Sequence, residues 1–152
     1  MQYNDKPILH TIAYTIDGIL EAGLLLQNDV FITSARHSAD VIMNLYNERK
    51  ALNGRYDKNW KGSQFMICTG CAQMSIVWNR LYKHTKEKKY REALTGINNQ
   101  LVHIQGFTRG MGKKSEGALQ GSFPLWGKYE PFAFPNWATK YLLDALMLEV
   151  EL

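Results

Sequence analysis

The sequence is short of the residues that interrupt or staple a fold. Its 152 residues include four prolines and two cysteines. Cys68 and Cys71 read as thiols rather than a structural disulfide, given the cytoplasmic location expected from the N-terminus. The opening MQYNDKPILH has no basic region leading into an apolar run, so no signal peptide is expected and the cytoplasm is the expected location. No apolar run approaches the ~18–20 residues of a membrane span. GILEAGLLL is short and is interrupted by Glu21. Charge of one sign is scarce too. The net charge is +4, with acidic residues among the basic ones, and KEKK at 86–89 reads as a solvated turn. No groove-reading motif accompanies it, so nucleic acid is not an expected partner. Alternation of apolar and polar residues is nearly missing, which argues against strands.

What is present is helical periodicity. Leu9, Ile12, Ile16, Leu20 and Gly23/Leu24 fall on one side of a helix predicted over 7–26, with Pro7 at its first position. His10, Tyr14, Asp17 and Glu21 share another face of it. A second helix follows QND, with Asp29 as the expected cap and Arg36 and Asp40 as an expected i, i+4 pair. Thr69 is expected to cap a third helix (69–85) carrying Met74, Val77, Trp78 and Leu81. Leu94, Ile97, Leu101 and Ile104 mark a fourth (90–105). Asn136 is expected to cap a fifth that runs to residue 151. The chain therefore reads as one all-α domain over 1–152. Short turns make two antiparallel hairpins, and long loops separate them. Helix starts about sixty residues apart suggest a weak repeat of hairpins. Such a stack gathers the starts of the first, third and fifth helices, with both long loops, at one end.

The loop before the fifth helix is unusual. GSFPLWGKYEPFAFPNWATKY, residues 121–141, holds seven aromatics and three of the four prolines. Prolines mark it as loop. Its rings either cover the helix ends or line a cleft. Trp126 and Tyr129 flank Gly127 and are placed for presentation, whereas Phe123, Phe132 and Phe134 are assigned to packing. The other loop adds Tyr56, Asp57 and Trp60.

Three segments resemble the α/α toroids, the six-hairpin glycosidase and epimerase superfamily, and more distantly the lanthionine and terpenoid cyclases. CTGCAQMSIVWNRLYKHTKEKKYREAL looks like their repeating hairpin. HTIAYTIDGILEAG looks like an inner helix with a lumen-facing histidine. LQGSFPLWGKYEPFAFPNWATKYLLDALMLE looks like a closing segment. The nearest resemblance is to toroid proteins associated with surface-polysaccharide production. A closed toroid needs about twelve helices, so the chain looks like the C-terminal portion of one or a short stand-alone version. Apolar flanks left open in this way favour a homo-oligomer.

The resemblance implies a carbohydrate-active or carbohydrate-binding module that takes an oligosaccharide or polysaccharide precursor where inner helices begin. Free backbone N–H groups at such starts favour oxygen-rich ligands. His10, Tyr14 and Glu21 are the candidate catalytic residues. Trp126, Tyr129, Trp137, Asn136, Gln73, Thr69 and Trp60 are the candidate substrate contacts, since flat rings stack on sugar C–H faces. Lys128, Arg109 and the lysines at 113–114 are placed to meet acidic sugars. Against this stand plainer readings. His10 and Tyr14 would be exposed polar residues, and Asp17 and Glu21 would be solvated or paired with Arg80 or Lys140. CTGC would be a redox pair, two of a zinc site's ligands, or small packed side chains. No cofactor and no metal are expected. A non-catalytic assembly module is the alternative function, and an isoprenoid-handling toroid is disfavoured by the scatter of Asp17, Asp29, Asp40, Asp57 and Asp144.

Overall fold

The structure, a computed structural model, describes residues 6–113 and 115–152. It is all-α. Helices α1 (Leu9–Leu26), α2 (Asp29–Arg49), α3 (Cys68–Thr85), α4 (Lys88–Gly106) and α5 (Asn136–Val150) are joined by two short turns and two long loops. The loops carry two-residue strands, β1 (Met66–Ile67) and β2 (Ser122–Phe123), which pair antiparallel.

Helix α3 is the centre. It packs on α1, α4 and α5, while α2 covers α1. It is buried without a break from Cys68 through Asn79 and again at Leu81, so Met74, Val77, Trp78 and Leu81 sit in the core. Trp78 is fully buried and its indole N–H donates to Ala39 O at 3.3 Å, tying α3 to α2. Contacts at matching heights show that α1, α3 and α5 run parallel. His10 meets Gln73, Arg80 meets Asp17, and Asn79 donates to Leu148 O. These three form an inner row, with α2 and α4 behind it.

The helix starts differ from the expected ones. Helix α1 begins at Leu9, past Pro7. Asn28 rather than Asp29 caps α2, its Oδ1 accepting from Val30 and Phe31 N–H at 3.0 and 3.2 Å. Thr69 is the second residue of α3 and Asn136 the first of α5, and neither caps. Arg36 pairs with Glu87 at 2.6 Å, while Asp40 binds Lys89 Nζ and the Tyr90 hydroxyl, so the expected Arg36–Asp40 pair gives way to ties between α2 and α4.

At α1 and α3 a neighbouring loop satisfies the first N–H in place of a side chain. The first N–H of α1, from Leu9, donates to Gly54 O at 2.8 Å, and that of α3, from Cys68, donates to Gly121 O at 3.1 Å. Gly54 N–H then donates to Phe65 O at 2.6 Å and Gly121 N–H to Ala133 O at 3.0 Å. Phe65 and Ala133 stand at the same distance before α3 and α5. Ile8 bridges Arg55 just as Ile67 pairs with Ser122. The weak sequence repeat is thus a repeat of hydrogen bonds. Both glycines are required by close approach. A Cβ on Gly54 would lie 2.6 Å from Ile67 Cγ1, and one on Gly121 would lie 2.8 Å from Glu130 Cβ.

By length and composition α1 would suffice to cross a bilayer, which the sequence reading did not anticipate. Here Leu9, Ala13, Ile16 and Leu20 are buried against the other helices.

Candidate functional site

Because α1, α3 and α5 start at one end and run parallel, their faces away from α2 and α4 form a shared groove. Counted from each helix start, Tyr14, Gln73 and Tyr141 occupy the same position, and they meet. The Tyr14 and Tyr141 hydroxyls share a short hydrogen bond. Gln73 Oε1 accepts from His10 Nδ1 at 2.7 Å, and the His10 and Tyr141 ring centroids lie 6.4 Å apart. With Nδ1 bonded to Gln73, Nε2 is the ring nitrogen left for another partner. The His10 and Tyr14 rings lie edge to face at 4.7 Å. Burial, and then the hydrogen bond with Tyr14, push the Tyr141 phenol up to about 12, so it remains a donor at neutral pH. Trp137 is one helical turn before Tyr141 on the same side of α5 and is 42% exposed.

Further along, the groove turns ionic. Arg80 binds both Asp17 and Glu21, the latter at 2.6 Å through Nε. Lys140 pairs with Asp144 at 2.5 Å. A cavity of about 430 Å³ opens here, lined by Asp17, Arg80, Lys140, Tyr141, Asp144 and Met147. The Arg80 partners are 29% and 42% exposed. Such pairs contribute about 0–1 kcal/mol each, so their main effect is to fix side chains in place.

The predicted residues are sorted by this geometry. His10, Tyr14 and Gln73 are brought together, and Trp137 stands one helical turn from Tyr141 on α5. Asp17 and Glu21 take the Arg80 partner that was weighed against a catalytic role. Thr69 is fully buried and is removed from the ligand surface. Asn136 is exposed at the start of α5. Trp60 is 37% exposed on another flank, beside Pro7 and Ile12 and edge-on to Tyr56, outside the groove. Trp126 projects from the second loop with 68% exposure, while Tyr129 is half-buried. Gly127 does not loosen that segment. It is buried because Ser122 comes close, a Cβ there lying 2.6 Å from Ser122 Cβ, and Ser122 Oγ bonds the Tyr129 backbone. Phe123 packs as expected, stacked on Phe107 at 6.1 Å, and Phe134 is half-buried. Phe132 instead stands 69% exposed on a left-handed backbone, φ 56°, an uncommon state for a bulky residue. Arg109 and Lys128 are exposed, and Lys114 lies outside the described residues.

Tyr141, Arg80, Lys140 and Asp144 belong to the groove and were not among the predicted site residues. The signal for Tyr141 was present: it holds the position in α5 that Tyr14 holds in α1. Cys68 and Cys71 are buried free thiols, with burial raising Cys68 to about 12 and Cys71 well above the ordinary range. A buried neutral thiol is a poor nucleophile and ligand, so both act as small packed groups. Among the described residues no three His, Cys, Asp or Glu side chains gather in a metal-binding group.

Compared with known protein families and with curated protein sequences, the chain matches none.

Proposed function

We propose that this chain is a carbohydrate-binding module of the α/α-toroid kind, which takes an oligosaccharide or polysaccharide precursor at the N-terminal end of its groove. The observation that carries this reading is the meeting of Tyr14, Gln73 and Tyr141 from three parallel helices, with His10 bonded to Gln73 and Trp137 a turn above. Aromatic faces beside fixed donors and acceptors suit sugar rings, whose C–H faces are apolar and whose edges are hydroxylated. Trp137 and Tyr141 supply ring surface. Tyr14 and His10 Nε2 supply hydrogen bonds, and the buried Gln73 holds the His10 ring in place. A place in surface-polysaccharide metabolism follows from the resemblance and forms part of the proposal, together with the cytoplasmic location expected from the opening residues.

Binding is favoured over turnover by Glu21. Its Oε1 is held by Arg80 Nε at 2.6 Å, so the carboxylate stands as one side of an ion pair rather than as a free acid or base. His10 is the remaining proton-transfer candidate. An assembly module is the second reading, favoured by the exposed Leu143, Met147 and Val150 on α5.

Tryptophan fluorescence titrated with neutral and uronic-acid oligosaccharides tests the proposal. A saturable change is expected, largely lost in Trp137→Ala and weakened in Trp126→Ala. A folded protein that responds to no sugar defeats it.

A further inference from the structure

The repeat in the inner row ends with two unfilled edges, and they are complementary. The first, fifth, eighth and twelfth residues of α1 are Leu9, Ala13, Ile16 and Leu20, all buried. Their equivalents in α3, Cys68, Ala72, Ser75 and Asn79, are buried too, and Asn79 reaches α5 by donating to Leu148 O at 2.9 Å. The equivalents in α5 are Asn136, Lys140, Leu143 and Met147, and all four are exposed. Leu143 and Met147 stand 57% and 58% exposed, with Val150 beyond them at 88%. This is the leading edge of an inner helix, uncovered only in α5.

The trailing edge shows the reverse. At the third, seventh and tenth positions α3 has Gly70, Met74 and Val77, and α5 has Ala138, Leu142 and Ala145. All six are buried. At Gly70 the approach is so close that a Cβ would lie 2.8 Å from His10 N. The same positions in α1 are Thr11, Thr15 and Gly18. All are exposed, and a Cβ on Gly18 would meet nothing within 4 Å.

We propose that a second copy of this chain docks head to tail, the trailing edge of its α1 lying on the leading edge of α5 and continuing the inner row. The occupant is a second copy because each chain carries both halves of a junction already made twice within it. The contact also extends the groove. In the existing junction the sixth residue of α3, Gln73, bonds the second residue of α1, His10. In the new one the partner's Tyr14 comes beside Trp137, so the partner adds a ring to the proposed binding end. The docking claim rests on the repeat alone and stands whether or not sugar binds.

A head-to-tail contact has two unlike faces, and this gives the test. The mass of the full chain in solution is measured by light scattering for the wild type, for a leading-edge variant (Leu143→Glu with Met147→Glu) and for a trailing-edge variant (Gly18→Arg). All changed side chains are exposed, and circular dichroism checks that each variant folds. The wild type is expected at a multiple of the 17.5 kDa chain mass. Each variant alone is expected at the single-chain mass. An equimolar mixture is expected to return to two chains, because one intact face of each kind remains. A monomeric wild type at the highest soluble concentration overturns the proposal. So does a trailing-edge variant that still pairs, which would mean α5 against α5, and so does a mixture that stays monomeric.

Discussion

The loops at 50–67 and 107–135 make the same backbone contacts with the inner row, yet the second exposes its aromatic side chains more than the first. In each, a glycine accepts the first N–H of an inner helix and donates to a carbonyl just before the next one. In the first loop the central ring turns inward. Tyr56 is 2% exposed, its hydroxyl accepts Asn53 N–H at 2.9 Å, and Trp60 leans on it. In the second, Phe123 packs but Trp126 and Phe132 stand in solvent. The shared contacts are what the fold needs. The outward rings of the second loop are surplus to them, which makes them candidates for contact with another molecule. In the proline-broken loop, then, some aromatics close the helix ends and some do not.

Removing the inward ring should have the largest effect. Tyr56→Ala is expected to cost about 3–5 kcal/mol, as for other large aromatic truncations in a core, read by denaturant unfolding. A cost below about 1 kcal/mol would mean that the first loop closes nothing. Next come the paired glycines. Gly54→Ala and Gly121→Ala each force a Cβ into occupied space and should each cost about 1–3 kcal/mol. If only one of them destabilises, the two loops are not structurally equivalent.

Alkaline titration sharpens the contrast at a third level. Burial raises Tyr56 from 10.0 to about 12. Burial, followed by the bond to Asp40, does the same for Tyr90. The unfolded chain loses these protons first, so it binds fewer protons than the folded chain between those values. Stability should therefore begin to fall near pH 9, where the unfolded chain loses the Cys68 and Cys71 protons that burial retains in the folded chain, and fall further from pH 10 toward 12, with a shallower fall above pH 10 in Tyr56→Phe. An unchanged pH profile in that variant would contradict the burial. Smallest of all, Trp126→Ala should change stability by no more than about 0.5 kcal/mol, as expected for an exposed side chain. A larger loss would place that ring in the fold after all.

The helices and their core faces were legible because periodicity is local. Ile97, Leu101 and Ile104 in α4 are buried where their spacing put them. The caps were not legible. Asn28 and Asp29 are adjacent and chemically alike as caps, and backbone geometry chooses between them. Thr69 looked like a cap because a carbonyl from residue 121 cannot be seen from residue 69. That carbonyl satisfies the Cys68 N–H and moves the helix start back by one residue. The shared face of His10, Tyr14, Asp17 and Glu21 was readable, and so was Arg80 as a possible partner for the carboxylates. What those residues meet at the N-terminal end was not. The Tyr14–Tyr141 contact joins residues far apart in sequence and depends on three helices lying parallel.

The central claim is that ligand binds where α1, α3 and α5 begin. Amide shifts of the isotopically labelled protein, followed by NMR while a uronic-acid oligosaccharide is added, test it most directly. The account predicts saturable shifts concentrated at His10, Tyr14, Gln73, Trp137 and Tyr141. Shifts confined to the flank around Lys58 and Trp60, or none with any oligosaccharide, would contradict it.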